Sequence, residues 1–347
     1  MSGDGRSSLF LHIYTEYKLS SERKDRGKMI QANYECDLHT HTTRSDGADT
    51  PEEVIRRAAG LGVKVLALTD HDIVPKDGYT DEHGRLGSLT EYAASLGITL
   101  LLGTEISCDT EVEDVHIICL GCDWKDAWFE GLEDEVAVSR VEGYKKLMER
   151  LREDGMEMSW EEVLFNSGQP IEERHVLKKM IFELMAQKGY ANSWGEAKML
   201  VKNTKRYQIK RRKPDPKNVI REVHRTGGIA ILAHPFLISD QVVKDGRTMD
   251  RKSYIDELVE VGLDGIEACY TYDKTSYDGS LTKEEVEAYI RENYEEKVKI
   301  MSGGSDYHGD QKKGVPNPRE IGECGITETY FNLIKEGANW ISNSCLD

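Results

Sequence analysis

Short apolar runs recur along the chain, and most of them end abruptly in polar residues. Val63-Lys64-Val65-Leu66-Ala67-Leu68-Thr69 leads into Asp70-His71-Asp72. Ile98-Thr99-Leu100-Leu101-Leu102-Gly103 leads into Thr104-Glu105, and Gly228-Ile229-Ala230-Ile231-Leu232-Ala233 into His234-Pro235. Asp264-Gly265-Ile266-Glu267-Ala268-Cys269 reads as a strand as well, and Val298-Lys299-Ile300-Met301 precedes Ser305-Asp306-Tyr307-His308-Gly309. Asp37-Leu38-His39-Thr40-His41 and Val115-His116-Ile117-Ile118-Cys119-Leu120 complete seven candidate strands. Helix signals fall between them. Thr50 can cap, Pro51 takes the first helical position and Glu53 completes a capping box, with an end near Gly60 or Gly62. A second helix is expected from about Ser88 to Leu96. Alternating strands and helices predict an α/β fold with a parallel sheet, closed as a barrel whose site lies at the C-terminal strand ends. His116 breaks this rule because it stands near the start of its run.

The rhythm stops between about residues 123 and 213. Residues 136–151, 174–188 and 195–201 read as helices there, which predicts a helical insertion able to act as a substrate lid. The expected layout is an N-terminal extension (1–33), a first barrel part (34–122), the insertion (123–213) and a second barrel part (214–347). The leading segment shows no strand or helix logic that serves a site.

Nine side chains at these strand ends and turns share one chemistry: His39, His41, Asp46, His71, Glu105, His116, His234, Asp306 and His308. Six of the ten histidines are among them, which sets the group apart from scattered surface imidazoles. Residues i and i+2 of a strand point the same way, so His39 and His41 can grip one ion together. Imidazole and carboxylate together bind Zn²⁺, Mn²⁺ and Fe²⁺. Nine donors exceed the need of one ion, so two or three divalent ions are expected, Mn²⁺ first, with Fe²⁺ or Zn²⁺ as alternatives. Such a cluster suits hydrolysis of a phosphate ester by a metal-activated water.

The segments around His39-Thr40-His41, Ser45-Asp46-Gly47, Thr69-Asp70-His71-Asp72, Gly103-Thr104-Glu105, Ala233-His234-Pro235 and Ser305-Asp306-Tyr307-His308 resemble, in order, the motifs of the PHP (polymerase and histidinol phosphatase) family. The Ser-Asp-Gly form and the long insertion are similar to its nucleotide phosphatase and 5′-to-3′ exoribonuclease branch. The resemblance implies a distorted (β/α)₇ TIM-like barrel. It also implies three ion sites: His39, His41, Glu105 and Asp306; Glu105, His116 and His234; and Asp46, His71 and His308. The implied substrate is a nucleoside monophosphate, a 3′,5′-bisphosphate or the 5′ end of a short single-stranded RNA. A histidinol-phosphatase-like enzyme and a non-catalytic metal-binding module are the alternatives. Asp70 and His308 are candidate general acids.

A formal net charge of −17 and a pI near 5.1 argue against general binding to nucleic acid or membranes. The longest apolar stretch, around residues 227–238, is too short to span a bilayer. Seven cysteines suggest no disulfide framework, which fits a cytoplasmic enzyme, and no stable protein partner is implied. One segment runs against the acidic trend: Lys202, Lys205, Arg206, Lys210, Arg211, Arg212 and Lys213 follow one another with no acid between. It is a candidate phosphate contact, with Tyr207 as a base-stacking ring and Arg174 and His175 as further substrate contacts. The alternative is a solvated loop leading to the helix start at Pro214-Asp215-Pro216.

Overall fold

The computed structural model describes residues 31–80, 83–165 and 168–337. The extension expected over residues 1–33 therefore lies, up to residue 30, outside the described residues. All seven expected strands form: β1 (Cys36–Asp37), β2 (Val65–Leu68), β3 (Thr99–Cys108), β4 (Val115–Leu120), β5 (Ile229–Leu232), β6 (Gly265–Cys269) and β7 (Ile300–Gly303). They lie in that order in a single sheet. The ends of the sheet meet through Leu38 N–H to Gly303 O (3.2 Å), Asp306 N–H to His39 O (2.8 Å) and His41 N–H to Tyr307 O (2.8 Å), which nearly closes a barrel. Gly304 permits this seam, since a Cβ there would lie 2.3 Å from Cβ of His39.

The sheet is mostly, not wholly, parallel. β1 to β3 and β5 to β7 pair in parallel, but β4 runs antiparallel to both β3 and β5. The physical reason is the connection: residues 109–114 are too few to carry a crossover back to the other end of the barrel. The reversal explains His116. Its partner across the ladder is Ser107, near the C-terminal end of β3, so the start of β4 lies on the functional face.

Around the sheet lie α1 (Pro51–Leu61), α2 (Leu89–Ser95), α7 (Pro216–Arg225), α8 (Arg251–Val261), α9 (Lys283–Tyr294) and α10 (Glu328–Gly337), after the insertion helices α3 (Ala127–Glu153), α4 (Trp160–Leu164), α5 (Lys178–Gln187) and α6 (Trp194–Asn203). The first helix has the expected capping box on Thr50, Pro51 in its first turn and left-handed Gly62 (φ 83°) at its end. The 27-residue α3 joins two cores. Phe129, Leu132 and Val136 pack with barrel residues such as Ile117 and Leu232, whereas Leu147, Met148 and Leu151 pack with Val163, Phe182 and Val201 of the insertion.

The helix expected over 174–188 begins only at Lys178. Residues Glu173–His175 form a short 3₁₀ turn, and Val176 and Leu177 are extended. Val176 is fully buried in the insertion core, and the break in the chain puts it there.

Candidate metal centre

Asp37 at the end of β1 ties the first motif to the last. Its carboxylate accepts bonds from Ser305 N–H (3.0 Å), Ser305 Oγ (2.6 Å), Gly322 N–H (2.8 Å) and His39 N–H (3.2 Å). Burial pushes its pKa up to about 6 against the pull of these donors. Beyond it, the Glu267 carboxylate holds Nδ1 of His39 at 3.1 Å and leaves Nε2 facing inward. Such an outer carboxylate sets the orientation and basicity of a ligating imidazole.

The inward atoms converge. His39 Nε2 and His41 Nε2 lie 3.1 Å apart. They stand 3.3 and 3.2 Å from Glu105 Oε2, and 3.4 and 3.1 Å from Asp306 Oδ1. On its other oxygen Glu105 meets His116 Nδ1 at 2.9 Å and His234 Nε2 at 3.0 Å. His71 Nδ1 is 3.0 Å from Oε2. His308 Nε2 meets Asp46 Oδ1 at 3.1 Å, and its ring stacks on His41 at 4.1 Å between centroids. All nine sequence-derived donors thus meet in one cluster. Its atoms form three groups: His39, His41, Glu105 and Asp306; His71, Glu105 and His116; and His41, Asp46, His71 and His308. His41 and His71 each belong to two groups, and His234 joins through Glu105.

These contacts fit divalent ions better than hydrogen bonds. Two donors about 2.1 Å from one ion and 90–110° apart lie about 3.0–3.4 Å from each other. The contacts of His39, His41 and His71 with Glu105 Oε2 and Asp306 span 3.0 to 3.4 Å. Glu105 Oε2 nevertheless receives no directed hydrogen bond, and neither His71 Nδ1, 3.0 Å away, nor the buried Nδ1 of His41 and His234 makes one. Two imidazole nitrogens facing each other at 3.1 Å share either a proton, donated by one ring to the other's lone pair, or a metal ion. The backbone is bent to aim these groups: His234 (φ 28°), Asp306 (φ 52°) and Asp72 (φ 54°) take conformations that side chains other than Gly rarely adopt.

The electrostatics point the same way. Burial opposes charge on His39 and His71, yet Glu105, Glu267 and Asp306 raise His39 well above its ordinary pKa, and Glu105 raises His71 to about 10. His41 is also raised, through Asp306 and Glu105. Burial wins at His116 and His308, which are lowered. Despite burial, neighbouring imidazoles hold Glu105, Asp306 and Asp46 well below the usual carboxylate range. The side chains of Asp46 (52% exposed) and His71 (25%) mark the open side, since Glu105 is fully buried.

The structure brings other groups to the site that sequence reasoning missed. Tyr270 OH (2.7 Å) and Arg319 Nη1 (2.6 Å) both donate to Asp306 Oδ2 and leave Oδ1 for the cluster. Arg319 also grips Asp310. Glu267 had a legible signal, a carboxylate inside an otherwise apolar strand. Arg319 had none.

Several expected roles need correction. Asp70 is no free acid: its oxygens accept from Thr42 N–H (2.8 Å), Thr42 Oγ1 (2.7 Å) and Ser45 Oγ (2.6 Å), so it shapes the turn that carries Asp46. His308 donates from Nδ1 to Asp306 O (2.8 Å) and turns Nε2 toward Asp46, the posture of a ligand rather than of a proton donor. Tyr207 is buried in the insertion core and bonds Asp154, so its face is closed to a base. Arg206 pairs with Glu153 and Asp154, and Lys205 shares the same 3₁₀ turn. Lys210 bonds Glu111 O, Arg212 pairs with Glu142, and Lys213 pairs with Glu113. Arg211 reaches Asp72 at 3.5 Å, beside His71. Arg174 pairs with Glu133 and Asp134 on α3, and His175 is exposed in the preceding turn.

Known proteins resemble this chain in sequence and fold. The PHP domain pattern matches residues 37–310. The chain is 29% identical over 277 residues to the phosphoribosyl 1,2-cyclic phosphate 1,2-diphosphodiesterase of Eggerthella lenta, covering 79% of this chain and 94% of that one. It is 30% identical over 201 residues to a 5′-3′ exoribonuclease of Haemophilus influenzae, covering 57% and 68%. Over 87 residues it is 45% identical to a 3′,5′-nucleoside bisphosphate phosphatase of Chromobacterium violaceum, covering 25% and 27%. A solved structure from Bifidobacterium adolescentis, assigned as a metal-dependent phosphoesterase, has the same fold, with a TM-score of 0.63 at 23% identity over 87% of this chain and 96% of that one. With the barrel, the ordered motifs and the match over residues 37–310 in agreement, the chain belongs to the PHP domain family.

Proposed function

We propose that this chain is a metal-dependent phosphoesterase that hydrolyses phosphate esters of nucleotides or the 5′ end of short single-stranded RNA. The convergence of nine donor side chains in one cluster, with five imidazoles meeting the shared, fully buried Glu105, carries this reading. His39, His41, Glu105 and Asp306 would hold one ion, Glu105, His116 and His234 a second, and Asp46, His71 and His308 a third, with Mn²⁺ the first candidate. Bound divalent ions supply Lewis acidity toward phosphoryl oxygens and lower the pKa of water. The chain's own residues do the rest. Glu267, Tyr270 and Arg319 lock the orientation of His39 and Asp306. The buried side of the cluster excludes bulk water, and the half-exposed Asp46 leaves the approach for substrate on one side. The acidic composition and odd cysteine count support a cytoplasmic setting; among the described residues no helix is long and apolar enough to cross a membrane.

A second reading has its own support. The Eggerthella lenta relative, named for a cyclic phosphodiester of ribose, is matched over 94% of its length. A cyclic diester would bring its ring phosphorus to the same cluster, apart from the phosphate monoester of its phosphoribosyl group. The deciding experiment is phosphate release and product analysis on purified, Mn²⁺-supplemented protein with AMP, adenosine 3′,5′-bisphosphate, a 5′-phosphorylated trinucleotide, phosphoribosyl 1,2-cyclic phosphate and histidinol phosphate. Preference for a nucleotide or RNA supports the first reading, and preference for the cyclic diester the second. Turnover of histidinol phosphate alone, or of none, refutes both.

A further inference from the structure

His71 belongs to two of the three donor groups, yet its side chain is 25% exposed and it stands on the loop that follows β2. Whatever fixes this loop fixes a ligand of two groups at once. On one side the turn of Thr42 and Ser45 binds Asp70. On the other, Asp72 gives its N–H to Glu105 O at 3.0 Å. Its carboxylate accepts from Ser107 N–H (2.7 Å) and Ser107 Oγ (3.0 Å). Ser107 lies across the ladder from His116, so these bonds set His71 in register with a second ligand.

The insertion holds the same loop at two points. Glu133 of α3 accepts Val74 N–H at 2.8 Å through Oε2. Its Oε1 accepts from Arg174 Nη2 at 3.3 Å, in the 3₁₀ turn before α5. Arg174 also pairs with Asp134, and its backbone oxygen accepts from Arg140 Nη2 at 2.8 Å. Two residues further on, Val176 is fully buried in the insertion core. The second point lies further along α3, where Ser139 Oγ donates to Arg212 O at 2.7 Å. That bond seats Arg211, whose Nη2 lies 3.5 Å from Asp72 Oδ2. Glu133 therefore holds the His71 loop with one oxygen and the insertion with the other. A backbone N–H bonded to a carboxylate makes a charge-assisted bond, stronger than a neutral one, and the guanidinium fixes the carboxylate that makes it.

We propose that Glu133 is a positioning residue for His71. It ties the loop of this ligand to the insertion, so that filling of the ion sites that use His71 and seating of the insertion on the barrel favour one another. Such coupling is reciprocal: a seated insertion raises the affinity of those sites by the factor by which the bound ions favour seating. The inference rests on the metal centre and not on which ester is hydrolysed. It gives the insertion a role that needs no contact with substrate.

The test titrates the full chelator-treated chain with Mn²⁺ against a competing chelator, in wild type, His71→Ala, Glu133→Ala and Glu133→Gln. A thermal melt checks that each variant folds. The ions weakened by His71→Ala are those that His71 serves, since the group of His39, His41, Glu105 and Asp306 does without it. Glu133→Ala should weaken the same ions at least fivefold, the lower end of ordinary coupling between sites, and leave the remaining ion within twofold. Glu133→Gln keeps an oxygen for Val74 N–H and should return the affinity to within twofold of wild type. Added to His71→Ala, Glu133→Ala should change nothing further. Hydrogen exchange reads the other direction. Mn²⁺ should slow the amides of His175 and Val176, which are bonded within the 3₁₀ turn, in wild type but not in Glu133→Ala. Arg174→Ala, at an exposed position, cuts only the insertion end of the tie and should also abolish the slowing. Less than fivefold weakening in Glu133→Ala, equal weakening of every ion, a glutamine variant as weak as the alanine one, or no slowing in wild type overturns the assignment. A wild-type chain that takes up no Mn²⁺, Fe²⁺ or Zn²⁺ refutes the metal centre and the coupling with it, whereas normal uptake without ester hydrolysis refutes the phosphoesterase reading alone.

Discussion

The metal-free chain should lose stability as pH rises from about 6.5 to about 10, and bound metal should remove the cluster's share of that loss, leaving only the part due to buried cysteines near pH 9 and above. In the folded chain Glu105 raises the pKa of His71 from 6.5 to about 10 despite burial, and His39 and His41 are raised as well. Between those limits the folded state keeps a proton that the unfolded state has released. Stability therefore falls with rising pH, by about 1.4 kcal/mol per unit for each retained proton. Other cluster groups do not offset this. The depressed pKa values of Glu105, Asp306 and Asp46 contribute stability that is lost only in acid, and the lowered values of His116 and His308 act below 6.5. For His71, whose side chain is one-quarter exposed, solvent trims the total to the order of 2–4 kcal/mol across the window. A divalent ion replaces these protons, and its affinity rises with pH because neutral imidazoles bind it. The assay is urea denaturation of chelator-treated and Mn²⁺-loaded protein at half-unit steps from pH 6 to 10. A denaturation midpoint for the metal-free chain that stays level or rises from 6.5 to 9.5 refutes the argument that the carboxylates hold extra protons on the cluster.

Three further outcomes are expected. Glu105→Gln and Asp306→Asn should each lower phosphate release at least a thousandfold, the rate equivalent of about 4 kcal/mol, while the circular dichroism spectrum keeps the folded form; near wild-type turnover would remove either residue from the ligand set. Glu267→Gln should weaken Mn²⁺ binding roughly 10- to 100-fold by competition titration, since Glu267 orients His39 without joining the cluster, and unchanged affinity would contradict that role. Asp70→Asn should cost about 1–3 kcal/mol of stability through its bonds to Thr42 and Ser45, and leave the shape of the kcat–pH profile intact; loss of one limb of that profile would restore Asp70 as a proton donor.

Much of the site was legible because its chemistry sits in short local motifs. A His-x-His pair on an extended segment shares a face whatever surrounds it. An acid or imidazole at the end of an apolar run lies at a strand end because the run itself defines the strand. The Thr50-Pro51-Glu52-Glu53 start is equally local, and Thr50, Pro51 and Glu53 act as their types dictate. The basic segment misled for the opposite reason. Composition shows that seven cations are close in sequence but not which way each points, and Glu111, Glu142, Glu113, Glu153 and Asp154 engage four of them, Lys210, Arg212, Lys213 and Arg206, away from the cluster.

By itself, then, the sequence determined the seven strands, the capped helices between them and the nine donor side chains, because periodicity, capping and residue type act over a few residues. Only the tertiary structure decided the direction of β4. With too short a connection for a crossover, that strand reverses and carries His116 to the functional face. Tertiary packing also made Glu105 the common neighbour of five imidazoles, and set Glu267, Tyr270 and Arg319 behind the ligands. Such partners lie far apart along the chain, and barrel closure with the seating of the insertion supplies the low-dielectric surroundings in which their charges act on one another.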